Sequence, residues 1–146
     1  MHVLQVEPQI VANYVATGKV RIAFSHVLDF GAPSVLASKT AECAGQQDPL
    51  AFWKIHHLFY ERQDQLWTAT PDTMVQFAEE LGLDGPTLRT CMDDPAVAAK
   101  ITRMDQSRRD QGLRTRPSFD LNGRIIQGAV PYTTFVKLLD EAVAGS

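Results

Sequence analysis

Apolar residues recur at helical spacing over most of this chain and alternate with polar ones in only a few places. In residues 8–17, PQIVANYVAT, Ile10, Val11, Tyr14 and Val15 share one face and predict a helix. Pro8 fits its first turn, or kinks a longer helix that starts earlier, and Gly18 is a natural stop. VRIAFSHV, residues 20–27, sets Val20, Ile22 and Phe24 against Arg21, Ala23 and Ser25, the period of a strand. DFGAP then reads as a loop, and helical spacing takes over from Ser34 to about Gln46. Asp48-Pro49 opens the next helix, with Phe52, Trp53, Leu58 and Phe59. Thr70-Pro71-Asp72 caps another, carrying Met74, Val75, Phe77 and Ala78 and ending at Gly82. Asp84 starts a short helix with Leu88 and Cys91, and Asp94-Pro95 a longer one running to Gly112. Two short strands, Phe119 to Leu121 and Arg124 to Gln127, flank Asn122-Gly123, a strong hairpin signal. Pro131 leads into a last helix with Tyr132, Phe135, Leu138, Leu139 and Val143 inside.

The predicted order is helix, strand, a block of helices, β-hairpin, helix. A lone strand needs a partner, and the hairpin is the only other sheet material. The expected fold is therefore α/β, its sheet assembled from both ends of the chain. Residues 1–30 and 112–146 make that part, and residues 31–111 are a helical insertion within a single domain overall.

The 146 residues suit one domain, and 45% hydrophobic with 21% charged residues is ordinary for a globular protein. A net charge of −3 argues against general nucleic-acid binding. No stretch approaches the roughly 20 apolar residues of a membrane span. The start, Met1-His2-Val3-Leu4-Gln5, has neither the basic region nor the apolar run of a signal peptide.

Few side chains suggest chemistry. Cys43 and Cys91 are too far apart for a redox Cys-x-x-Cys pair or a zinc half-site. They are two buried thiols or one disulfide, which would close a loop of about 49 residues and point to an oxidising compartment. His56 and His57 are adjacent, so on a helix they point about 100° apart and share no metal. His57 and Glu61 lie at i and i+4; with no further ligand cluster they read as a surface ion pair, and no metal site is expected. His26 reads as a partly buried structural histidine. Trp53, Phe59 and Trp67 are expected in the core of the insertion, and Arg103, Arg108 and Arg109 on a solvated helix face.

Pro117 raises a different question, because proline cannot donate to a sheet ladder and yet stands at the mouth of a strand. YVATGKVRIAF, SVLASKTAECAGQQDPLAFWKIHHLFYERQDQLW, ELGLDGPTLRTCMDD and DQGLRTRPSFDLNGRIIQGAVPYTTFVKLLDEA together span nearly the whole chain. In that order they resemble the DsbA-like thiol–disulfide oxidoreductases. The specific part is the run of Gly-x-x-x-x-Pro-x-Phe, Asn-Gly and Gly-Ala-x-Pro-Tyr. The resemblance implies a thioredoxin-like fold with a helical insertion and a cis Pro117. It also implies that Arg116 offers its backbone N–H and C=O to an extended or unfolded polypeptide by strand addition. Cys43 and Cys91 match positions that hold a structural disulfide in some relatives. Arg116 stands where most relatives have threonine; its guanidinium would favour a nearby thiolate, or else is a loop charge facing solvent. Arg114 reads as plain surface.

The family's reaction is thiol–disulfide exchange on protein substrates, without a small-molecule cofactor. It needs a Cys-x-x-Cys at the start of the first helix, where the dipole stabilises a thiolate. No residue of this chain fills that motif, and the central strand that leads into it is also missing. Met1 then reads as an internal methionine of a truncated chain, inactive in exchange and extracytoplasmic (periplasmic or cell-surface) like its family. The unpaired edges suggest a homodimer by strand exchange. The rival reading is a redox-dead, chaperone-like module that binds peptides through the Pro117 loop. An isomerase or glutathione-transferase relative lacks support, since no substrate motif is visible.

Overall fold

The computed structural model describes residues 2–145. Its elements fall into two compact units, Met1–Phe24 with Arg108–Ser146, and Ser25–Ser107.

The second unit is helical. It holds α3 (Ala32–Gln47), α4 (Pro49–Glu61), α5 (Gln63–Leu66), α6 (Pro71–Glu80), α7 (Gly85–Asp93) and most of α8 (Pro95–Asp110). The predicted starts are capped in the predicted way. Asp48 Oδ1 accepts from Leu50 N at 3.0 Å, and Asp84 Oδ1 from Thr87 N at 2.7 Å. Asp94 Oδ1 accepts from Ala96 N at 2.8 Å. At α6, Thr70 and Thr73 form a reciprocal capping box, each hydroxyl accepting from the other's backbone N–H. Thr70→Ala removes both the side-chain acceptor and its reciprocal arrangement, and should cost about 1 kcal/mol of stability in a urea titration. Each cap is followed by a proline in the first turn, where no N–H is missed.

Ile55, Met74, Leu88 and Cys43 are sealed in the core of this unit, with Phe59, Phe77 and Met92 around them. They are the inward positions of α3, α4, α6 and α7, so the helical spacing of the sequence and the packing agree. Trp67 does not follow. It is 55% exposed and stands edge-on to Phe30, itself 52% exposed. It lies just past the single turn of α5, beyond the helix faces that close on the core.

In the first unit, α1 (His2–Gln5) and α2 (Glu7–Ile10) are followed by a wider, π-helical turn at Val11–Val15. Helical structure thus starts before the predicted 8–17, with a break at Val6, and widens into the π turn after Ile10. Ile10 and Tyr14 are buried as expected, but the π turn rotates Val11 outward. β1 (Ser118–Leu121) and β2 (Arg124–Gln127) pair antiparallel, with Phe119 opposite Ile126 and Leu121 opposite Arg124. Asn122 and Gly123, with φ of 52° and 92°, supply the two left-handed residues that a tight two-residue hairpin requires. The last helix, α9 (Tyr132–Ala144), buries Phe135 and Leu139 against Ile10 and Tyr14.

The expected strand at 20–27 is corrected by the structure. Residues 20–28 belong to no ladder, and among the described residues the sheet is the two-stranded β1–β2 hairpin. The alternation itself is real: Val20, Ile22 and Phe24 are half-buried and His26 is buried, while Arg21, Ala23 and Ser25 are exposed. Alternation reports which side faces a core; a strand also needs a neighbour at ladder distance, and these residues have none among those described.

Candidate functional site

The loop that enters β1 is built by its flanks. Gly112, at φ 73°, closes the end of α8 by donating its N–H to Arg109 O at 2.9 Å. Arg108, expected on a solvated face, is buried instead. Its Nη1 donates to Leu113 O at 3.0 Å, and Leu113 N donates to Arg108 O at 3.0 Å. This guanidinium therefore pins the start of the loop. The signal was present in the spacing: Val97, Ile101, Asp105 and Arg108 lie on one stripe of α8, and all are buried. Polar residues at its last two positions hid it.

Beyond Leu113, Ser118 Oγ donates to Thr115 O at 2.5 Å, and Gly128 N donates to Pro117 O at 2.8 Å. The Arg116–Pro117 peptide is cis. The ladder begins one residue later, at Ser118, so the Arg116 backbone lies outside it. Arg114 and Arg116 are exposed, and Pro117 is half-buried. Phe119 leads the core side of β1, its ring 4.7 Å from that of Phe135 and 4.7 Å from that of His2. His2 has no sign of this role in its sequence neighbours. Burial of its ring lowers its pKa, and its Nδ1 is enclosed without a hydrogen-bond partner among the described residues. Tyr14 anchors the other side of this unit by donating its hydroxyl to Asp140 Oδ1 at 2.8 Å. That bond, with burial and the Asp140 charge, raises the phenol to about 12.

The helical unit holds a separate set of groups. Cys43 on α3 and Cys91 on α7 are joined in a disulfide. His26 is 3% exposed, and its Nε2 lies 2.8 Å from Glu42 Oε1. The other oxygen of Glu42 accepts from Lys100 Nζ. Burial would push Glu42 up, but the hydrogen bonds and charges of Lys100 and His26 outweigh it and hold the carboxyl below its usual range. For His26 the balance is reversed: burial lowers its pKa despite the pull of Glu42. Leu28 N donates to Asp105 Oδ1 at 3.0 Å, so carboxylates of α3 and α8 together hold the segment that follows the first unit's extended stretch. His57 pairs with Glu61 at 3.4 Å on the surface, the bland arrangement its spacing suggested. His56 points the other way, into the core. No group of ligands suited to a metal ion is found among the described residues.

These local features are those of a known family. The sequence model of the thioredoxin family matches residues 2–141. The chain belongs to the thioredoxin family. Disulfide bond formation protein D of Bacillus subtilis (strain 168) is 23% identical over 142 residues, covering 94% of this chain and 64% of that protein. The Na(+)/H(+) antiporter NhaA 3 of Salinispora tropica is 30% identical over 141 residues, 95% of this chain but 20% of the antiporter. An Na(+)/H(+) antiporter NhaA of Herminiimonas arsenicoxydans is 27% identical over 111 residues, 76% of this chain and 17% of its own length. The chain thus spans less than two thirds of each of these relatives. Within the family it falls with the DsbA-like thiol–disulfide oxidoreductases, a thioredoxin-like α/β fold with a helical insertion. The likeness to segments of antiporters adds no membrane span here: no helix of the described residues is long and apolar enough to cross one.

Proposed function

We propose that these residues are the polypeptide-docking part of an extracytoplasmic thiol–disulfide exchange protein, with the Arg116–Pro117 loop and the adjoining edge of β1 as the docking edge. The observation that carries the reading is the position of Arg116, outside the β1–β2 ladder, at the entry of a strand whose one ladder neighbour among the described residues is β2. An extended chain laid along that edge gains backbone hydrogen bonds without displacing any in the hairpin. Pro117 contributes a fixed φ and no competing donor. The name of the Bacillus subtilis relative and the Cys43–Cys91 bond support an oxidising compartment.

Exchange catalysis is not performed by these residues alone. Both cysteines are tied in one disulfide, and neither stands at Cys-x-x-Cys spacing. Without a Cys-x-x-Cys pair these residues act as a peptide binder, and a second copy meeting the same edge would give the homodimer that the sequence suggests.

The test is binding of an unfolded, cysteine-free polypeptide, followed by fluorescence anisotropy. Pro117→Ala should weaken binding about tenfold, the loss of one to two backbone hydrogen bonds at about 1 kcal/mol each. Unchanged affinity would remove the loop from the docking edge. In parallel, these residues should show no catalytic turnover of a model disulfide substrate; turnover that survives Cys43→Ser with Cys91→Ser would sink this reading.

A further inference from the structure

The Cys43–Cys91 bond is asymmetric in its surroundings. Cys43 is 1% exposed, packed in the core of the helical unit. Cys91 is half-buried and lines an open surface pocket of about 670 Å³, together with Thr87, Thr90, Asp93 and Asp94. Thiol–disulfide exchange requires a thiolate to reach one sulfur, and access decides which. Here Cys91 borders the open surface and Cys43 is enclosed, so any approach to the bond is from the Cys91 side.

Other contacts join the two segments on either side of the bond. On one side, Thr40 Oγ1, which also donates to Leu36 O at 2.8 Å, lies 3.1 Å from Met92 Sδ, bringing α3 against α7 one turn from the disulfide. On the other, Gln47 Nε2 donates to Asp84 O at 3.0 Å while Asp84 N donates to Gln47 Oε1 at 2.9 Å. These contacts bracket the cysteines, so two reduced thiols would stay opposite each other at high effective concentration. Such an arrangement suits a bond that opens and recloses.

The pocket also selects its reagent. Two carboxylates, Asp93 and Asp94, stand among its lining residues, and no Lys or Arg does. An anionic thiol is repelled there; a neutral or cationic one is not.

We propose that Cys43–Cys91 is a thiol-exchange site in its own right, attacked at Cys91 by a neutral or cationic dithiol. This is independent of the docking edge at Pro117. The incoming thiolate bonds to Cys91 Sγ as the Cys91–Cys43 bond breaks, and Cys43 Sγ leaves with the electron pair and takes a proton. The second thiol of the reagent, deprotonated, then attacks the mixed disulfide at its own first sulfur and releases Cys91 as a thiolate. The dithiol ends oxidised to a disulfide, and Cys43 and Cys91 end reduced.

The experiment follows the native chain with cysteamine and with glutathione separately, quenching by alkylation and locating adducts by peptide mass spectrometry. Rates are normalised to an unstructured peptide disulfide. The mixed disulfide should form on Cys91, at a rate insensitive to low urea, and cysteamine should lead glutathione by roughly threefold per unit of charge difference at low salt. Asp93→Asn should narrow that gap without changing the site of attack. Adducts on Cys43, or reduction that accelerates with urea as global unfolding does, would overturn the proposal. Equal normalised rates for the two thiols would overturn the assigned reagent class.

Discussion

Replacing Cys43 and Cys91 together by alanine should lower the stability of the helical unit by about 4 kcal/mol. The bond spans 48 positions of sequence, from α3 to α7. In the unfolded chain it forbids every conformation in which those ends are apart, and loop-closure entropy for a ring of this size amounts to about 4 kcal/mol at 25 °C. Alanine is the right replacement because Cys43 is buried among apolar side chains, where a serine hydroxyl would add its own desolvation cost. The measurement is a urea titration of the intact chain, oxidised, against the double variant. A loss below about 1 kcal/mol would show that the unfolded chain is already compact enough to keep α3 near α7. The docking edge of the first unit should be unaffected, so polypeptide binding by the folded variant serves as the control.

The second large effect is acid destabilisation through His56. This histidine is 5% exposed, and burial, with the neighbouring His26 and His57, lowers its pKa to about 4 from 6.5. Its ring lies among those of Phe52, Trp53 and Tyr60, where the imidazolium loses its hydration. In the unfolded chain it protonates near 6.5, so between pH 6.5 and pH 4 the unfolded state binds more protons than the folded one. Stability must then rise with pH across that window, and fall as pH drops from 6.5 toward 4. The full difference is about 3 kcal/mol, at 1.36 kcal/mol for each unit of pKa. His26, also lowered by burial, acts in the same direction. Glu42, held below its usual range, adds a loss at lower pH, once the carboxylate itself is protonated. His56→Phe isolates the first contribution: its stability should be flatter with pH between 7 and 4.5 than that of the native chain. Because the comparison is of slopes, any packing cost of the phenylalanine drops out. Parallel slopes for the two proteins would show that His56 reaches water in the folded state.

Much of this was legible in the residues themselves. Asp48, Thr70 and Asp84 marked helix starts because a side-chain oxygen is needed wherever the first backbone donors lack partners, and that need is local. Asn122-Gly123 marked the hairpin because only such residues readily take two successive left-handed conformations. Pro117 was picked out for the same kind of reason: it is a residue whose backbone chemistry contradicts its position in a strand.

Other features depended on distant residues and had no local sign. The alternation of Val20, Ile22 and Phe24 carries the inside–outside preference of a strand but not the identity of a ladder partner, and the structure supplies none among the described residues. Arg108 carries the same charge as Arg109, yet only Arg108 falls on the buried stripe of α8 and meets the Leu113 carbonyl. His26 and Glu42 are 16 positions apart, and neither shows in sequence that it will be buried against the other. The sequence by itself determined most of the longer helices, their caps, the hairpin and the family. Tertiary structure alone decided which polar groups are buried and with what partners. The physical reason is range: backbone preferences and caps act within a turn or two, whereas desolvation and its compensation act between whichever side chains the packed core brings together.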